Sequence, residues 1–313
     1  MSSTVRPSFP PGARLTPGRP LQALQAVPTH WAMLAPALVL VAGFILYPAA
    51  NAIWLALTKT NLLNVRLQQF VGLQNFQTAF ANNSFWLSLL HSLIWVVGCV
   101  AGQLAIGMIG ALLLNQKFRG RAVIRGIVLL PWATASILVS LMWLWMLNPN
   151  FGIINHLLQA VDFLGGPKDW LGDPATALPT LIVIDVWQGI AFFAVMLLAA
   201  LQGVPVELLE AARLDGASPW QSFWRVTLQF IMPTVLITVV LRVVWTANYF
   251  DLILVVTNGG PANATLTLPL YAYQTAYQKF DFGLAAALGI TQAALLAVPV
   301  IMYVRQIRRS EIA

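Results

Sequence analysis

Six apolar runs divide this chain, and each is long enough to cross a bilayer. They cover residues 31–57, 85–114, 122–147, 178–201, 228–256 and 284–304. A spanning helix needs about 20 consecutive apolar residues, and in hydrocarbon its backbone groups must bond within the segment. The runs therefore predict an all-α, polytopic membrane protein with six transmembrane helices. Only 9% of the residues are charged, against about 25% in soluble domains, so a soluble fold is excluded. Pro36, Pro48, Pro131 and Pro299 fall inside the runs, where membrane helices tolerate them. Gly98, Gly102, Gly107 and Gly110 in the second run predict a face that a neighbouring helix approaches closely.

The connections carry the remaining information. Residues 1–30 are rich in Pro, Ser and Arg and read as a disordered cytoplasmic tail. The first run is too long for a cleavable leader and is expected to stay as an anchor. The single cysteine, Cys99, lies inside the second run, so no disulfide forms within the chain and the residue reads as packing. A net charge of +7 raises the question of nucleic acid. The basic residues instead sit in the short connections between runs, as membrane topology requires. With the N-terminus inside, twelve Lys and Arg fall in cytoplasmic segments and four in outer loops. Both termini are thus expected in the cytoplasm, with the connection between the fourth and fifth runs on the same side.

That connection, residues 205–226, is polar and broken by glycine. Glu207, Glu210 and Arg213 recur at three-residue spacing, Gly216 ends the first helical stretch, and Ala217-Ser218-Pro219 starts a second that carries Trp220, Phe223 and Trp224. Two short helices on a glycine turn make a knob with one apolar and one charged flank. Composition leaves two readings open: a docking element for a partner, or an interfacial helix with Trp220 and Trp224 at the lipid boundary.

The string itself narrows the choice. Glu210-Ala211-Ala212, Gly216 four positions on, and Val226-Thr227-Leu228 resemble the EAA loop of ABC importer permeases. Asp215, Ser218, Gln221 and Phe223 resemble the carbohydrate-uptake branch, the maltose-, glycerol-3-phosphate- and trehalose-type permeases. So do Thr257-Asn258-Gly259-Gly260-Pro261, Thr267-Leu268-Pro269, Tyr271 and Phe282-Gly283, with Phe70 to Phe76 after the first run. The similarity covers residues 31–306. Gln229 departs from it, because the family usually has Pro there and the nearest here is Pro233; a less marked bend is expected at the start of the fifth helix.

The resemblance implies a type I ABC importer transmembrane fold, with a transmembrane domain over 85–306 and a coupling loop over 205–226. It implies that Glu210, Ala211, Ala212, Asp215 and Gly216 couple the chain to ATP-binding subunits. Ala211 and Ala212 would be small so that the partner can approach. The implied assembly has a second permease subunit, two ATP-binding subunits and an extracytoplasmic solute-binding protein in a bacterial or archaeal inner membrane. The implied function is ATP-driven uptake of a sugar or polyol by alternating access, and the chain is not itself an enzyme. No Gly-Lys-Ser or Gly-Lys-Thr string occurs, and His30, His91 and His156 are scattered without metal-ligand spacing. ATP and Mg therefore belong to the partner subunits, and no cofactor is expected on this chain.

Three ionisable residues fall within the runs: Asp185, Arg242 and Asp251. Such residues are costly in hydrocarbon and face a cavity, the bundle interior or each other. Asp251 lies near the outer end. Asp185 is about 24 Å, and Arg242 about 21 Å, of helix rise from the shared cytoplasmic connection, so the two sit at similar depth. Gln188 shares a face with Asp185; Thr238, Arg242, Trp245 and Tyr249 form one stripe, and Asn248 is adjacent. Polar groups interleaved with rings suit a sugar, which needs both hydrogen bonds and flat apolar surfaces. A purely structural Asp185–Arg242 pair is the other reading. An ion-coupled secondary transporter using that pair as a relay is the rival function, and a glycerol phosphate is the rival solute.

Overall fold

The computed structural model describes residues 26–61, 68–162 and 165–310. The chain divides into two units, Met1–Asn51 and Ala52–Ala313. The first holds α1 (Ala26–Val41), a π-turn (Ala42–Leu46) and the start of α2 (Tyr47–Ala56). Most of the expected tail, residues 1–25, lies outside the described residues. From Ala26 the backbone is helical, five residues ahead of the expected boundary. Pro28 falls in the first turn of α1, where a missing N–H removes no helical bond. At the π-turn Tyr47 N–H donates to Ala42 O, five residues back. Pro48 follows directly and cannot donate the next bond, which accounts for the irregularity there.

The second unit is built on two long helices that run in the same direction, α4 (Asn83–Asn115) and α8 (Pro174–Gln202), with Gly98 against Ile182 at one end of their contact and Gly107 against Phe193 further along. Asn82 caps α4 by accepting from Ser84 N–H at 2.9 Å. Asp173 caps α8 in the same way through Ala175 N–H at 2.9 Å, with Pro174 at the first position. The expected glycine face is where they meet. A Cβ added at Gly107 would lie 2.5 Å from Phe193 Cβ, one at Gly102 2.7 Å from a Val186 methyl, and one at Gly98 3.0 Å from Ile182. Lipid is as apolar as leucine, so van der Waals contact at close approach, rather than exclusion of water, holds such a pair together. The core falls into two apolar clusters along these helices, one around Trp95, Ile184 and Leu270, the other around Ala111, Phe193 and Ile231.

The other spans of this unit lie around this pair. The third run is not one helix. It forms α5 (Arg121–Ala133) and α6 (Ser136–Met146), bent by 93° at Thr134-Ala135. Pro131 removes one backbone donor, and the Thr134 hydroxyl closes on Leu130 O at 2.8 Å, so the helix ends where a continuous one was expected. Among the described residues five helices are long and apolar enough to span, and this bent pair makes six if it crosses once. The fifth run likewise breaks at Tyr249-Phe250 into α11 (Leu228–Asn248) and α12 (Asp251–Val256), and the last run is α14 (Phe282–Ser310). Gln229 lies within α11. The backbone is regular at Gln229, and an irregularity comes just before α11, in a π-turn over Phe223–Thr227 where Leu228 N–H donates to Phe223 O.

Short elements close the end away from the α8–α11 connection: α3 (Gln74–Ala81), α7 (Ile153–Ala160) and α13 (Leu268–Tyr277). The β-pairing among the described residues is a two-residue antiparallel ladder, Thr58–Lys59 against Gln69–Phe70, and an isolated bridge between Asn61 and Asp281. Asn75 Nδ2 donates to Ala56 O at 2.8 Å and Thr58 O at 2.9 Å, which ties α3 beneath the ladder.

Candidate functional site

Two regions gather the residues singled out from the sequence. The first is the knob between α8 and α11. Its helices are α9 (Val206–Leu214) and α10 (Pro219–Ser222). Pro205 stands just ahead of α9 in extended conformation. Gly216 has φ +76°, and nothing lies within 4 Å of a Cβ built there, so the turn needs glycine for its backbone conformation rather than for space. Ala217 N–H and Gly216 N–H close the end of α9 on Ala212 O and Arg213 O, both at 3.0 Å. Ser218 and Gln221 then form a reciprocal capping box, at 3.3 and 2.9 Å. The knob is thus fixed by local bonds at every joint.

Glu210, Ala211, Asp215 and Gly216 are exposed, but Ala212 is buried within this chain. The expectation that both alanines leave room for a partner is therefore corrected. Ala212 is small because the knob packs on itself, and Ala211 alone faces outward. Asp215 contributes to the turn through its backbone, donating to Ala211 O at 3.0 Å. Leu214 is 89% exposed and Trp220 70%; apolar surface of that size requires a cover, from lipid or from another protein.

The second region is a cavity of about 270 Å³, close to the lower limit of ligand pockets, about 300 Å³. The break in the third run supplies Trp132, Thr134 and Ser136; α8 supplies Asp185 and Gln188; α11 and its end supply Arg242, Trp245, Thr246 and Tyr249. Non-helical backbone at membrane depth persists only where protein buries it or where it lines a cavity, and the break at Thr134-Ala135 meets that condition. Asp185 and Arg242 come together, Oδ1 to Nη2 at 3.6 Å. Gln103 on α4 joins them: its Nε2 donates to Asp185 Oδ2 and to Asp185 O, each at 2.8 Å, and its Oε1 accepts from Arg242 Nε at 2.6 Å. Three helices are therefore tied by one polar network, at the seam between the two apolar clusters. A Cβ on Gly189 would collide with both Gln103 Nε2 and Arg242 Nη2, so the network exists because α8 has no side chain there.

Five of the six expected cavity residues line this space. Tyr249 OH also donates to Gln188 Oε1 at 3.3 Å. Asn248 is not among the lining residues: its Oδ1 accepts from Gln292 Nε2 at 3.1 Å and its Nδ2 donates to Val244 O. Thr238 turns back on its own helix, donating to Thr234 O at 2.6 Å. Asp251 is exposed, as its place near a helix end suggests. The sequence reading missed Gln103, Gly189, Trp132, Thr134, Ser136 and Thr246. Gln103 carried a usable signal, a polar side chain inside an apolar run beside the glycine face. The others needed the bend of the third run. The Thr246 hydroxyl is buried without a hydrogen-bond partner, in a chain where buried polar groups are otherwise expected to be paired. Among the described residues no three His, Cys, Asp or Glu side chains cluster as metal ligands would.

With this geometry in place, likeness to known proteins is informative. A family described as "binding-protein-dependent transport system inner membrane component" matches residues 103–311. The trehalose/maltose transport system permease protein MalF of Thermococcus litoralis is 33% identical over 273 residues, 87% of this chain and 91% of that one. The sulfoquinovosyl glycerol transport system permease protein SmoG of Agrobacterium fabrum is 29% identical over 279 residues, 89% of this chain and 90% of that one. The fold matches a chain in the crystal structure of a bacterial ABC transporter that imports the acidic polysaccharide alginate. The TM-score is 0.79 at 23% identity, over 92% of this chain and 98% of that one.

Proposed function

We propose that this chain, which belongs to the inner membrane components of binding-protein-dependent transport systems, passes a sugar or related polyol through the cavity beside Asp185 and Arg242 by alternating access. It is a multi-pass transport subunit of an ABC importer, and ATP hydrolysis is the task of separate subunits. The observation that carries the solute class is the lining itself. Three rings, Trp132, Trp245 and Tyr249, stand among Gln188, Thr134, Ser136, Thr246 and the charged pair. A sugar ring presents C–H faces that stack on aromatics and hydroxyls that both donate and accept, which this mixture satisfies.

Trp132 and Trp245 are about half exposed in the lone chain, at 49% and 48%. That supports a second permease subunit completing the cavity wall. The exposed Glu210, Ala211 and Leu214 support docking of an ATP-binding subunit on the knob, whose closure would swing α8 and α11 together. The sequence excess of basic residues in the segments expected on the knob side, twelve against four, supports a cytoplasmic knob and cytoplasmic termini in a bacterial or archaeal inner membrane. The opposite face would then meet the extracytoplasmic solute-binding protein.

The test is uptake by the assembled transporter. Trp245→Ala and Tyr249→Ala should each lower sugar uptake about tenfold, the scale of losing one buried aromatic contact, while the ATP-binding subunits stay attached. Unchanged uptake in both variants would remove this cavity as the route.

A further inference from the structure

Among the described residues that line the cavity, Arg242 is the one cation and Asp185 the one anion. They are not independent. The carboxylate is 1% exposed and the guanidinium 11%, with 3.6 Å between them. Gln103 holds both from the far side, and its bond to Arg242 Nε fixes the guanidinium plane. A guanidinium carries five N–H donors, and those not engaged by Gln103 and Asp185 remain for the cavity. A lone buried guanidinium would attract a carboxylate or phosphate solute strongly, because screening is weak at that depth. Paired with Asp185 it presents hydrogen-bond donors with no net charge.

We propose that Asp185 sets the charge selectivity of the cavity. By cancelling Arg242 it leaves a wall that takes neutral polyhydroxyl solutes and refuses anionic ones. Gln103 acts as a positioning residue that keeps the pair closed, and Gly189 leaves it room. The proposal rests on the reading of this cavity as the solute route, and it goes further by making one residue responsible for excluding uronates and sugar phosphates.

The test bypasses the binding protein, which applies its own filter. The full assembly, purified without nucleotide and placed in lipid nanodiscs, is equilibrated with radiolabelled trehalose, maltose or glucuronate, and bound label is counted. The wild type should bind a neutral sugar and show no saturable glucuronate binding. Asp185→Asn keeps an acceptor for Gln103 but frees the guanidinium charge, and glucuronate should then bind at least tenfold more tightly than to wild type. Adding Arg242→Gln to that variant should abolish the gain. Glucuronate binding that is equal in wild type and Asp185→Asn would overturn the proposal. So would a gain that survives the added Arg242→Gln. If wild type binds none of the three while every variant assembles, the solute route itself is misplaced, a separate failure. Should Asp185→Asn not assemble, Asp185→Ser takes its place: it also removes the carboxylate beside Arg242, and it should gain glucuronate at least tenfold over wild type, with no gain overturning the proposal.

Discussion

Gly189 lies directly beneath Arg242: a Cβ on Gly189 would collide with Arg242 Nη2 and with the Gln103 amide that holds it. The smallest residue on α8 therefore decides whether the charge pair of the cavity can form. Gly189→Ala should push Gln103 and Arg242 off the helix and leave Asp185 buried with fewer partners. Breaking a buried pair of this kind costs about 3–5 kcal/mol, and partial relaxation should bring the loss nearer to about 1–3 kcal/mol, the range for overpacking. Thermal unfolding of the purified assembly checks this, and an unchanged midpoint would show that the network is slack.

The α4–α8 seam makes a second prediction. A methyl group placed on Gly107 would stand 2.5 Å from Phe193 Cβ and 3.2 Å from Ala194 N, both rigid neighbours. Gly107→Val should separate the helices and sharply reduce the folded fraction recovered in detergent. Gly126→Val is the control, since nothing lies within 4 Å of that position, and it should be recovered at wild-type levels.

On the knob, φ +76° at Gly216 disfavours any β-branched residue by about 1–2 kcal/mol. Gly216→Val should loosen the joint between α9 and α10, raise hydrogen exchange across residues 205–227, and uncouple ATP hydrolysis from uptake while the subunits still assemble. Ser218→Ala removes the capping box and should act in the same direction by about 1 kcal/mol. Tight coupling in Gly216→Val would contradict a rigid-joint role for the turn.

How much of this was legible beforehand depends on which physical signal each feature carries. Helix α8 is apolar on all sides and reads as a buried span, and the glycine spacing on α4 announces its partner face. Asp185 and Arg242 stand out because charge in hydrocarbon is rare, and comparable helix rise from one connection placed them at similar depth. Thr134 and Ser136 gave no such signal. They are ordinary residues in an apolar run until Pro131 and the Thr134–Leu130 bond turn the backbone by 93° and bring them to the cavity. Asn248 carried little signal beyond its place next to the stripe: the chain leaves α11 between it and Tyr249, and Asn248 pairs with Gln292. Ala212 illustrates that a motif residue can serve the chain's own packing.

The rival account, in which Asp185 and Arg242 relay an ion and drive transport without a partner, uses the same residues. Their tight neutral pairing through Gln103 favours a fixed wall over a moving relay. The most direct measurement is sugar uptake into proteoliposomes. With the second permease subunit, the ATP-binding subunits and the solute-binding protein present, uptake should require ATP and be lost on its removal. This chain alone, under an imposed proton or sodium gradient, should accumulate nothing. Gradient-driven uptake by the chain alone would contradict the account.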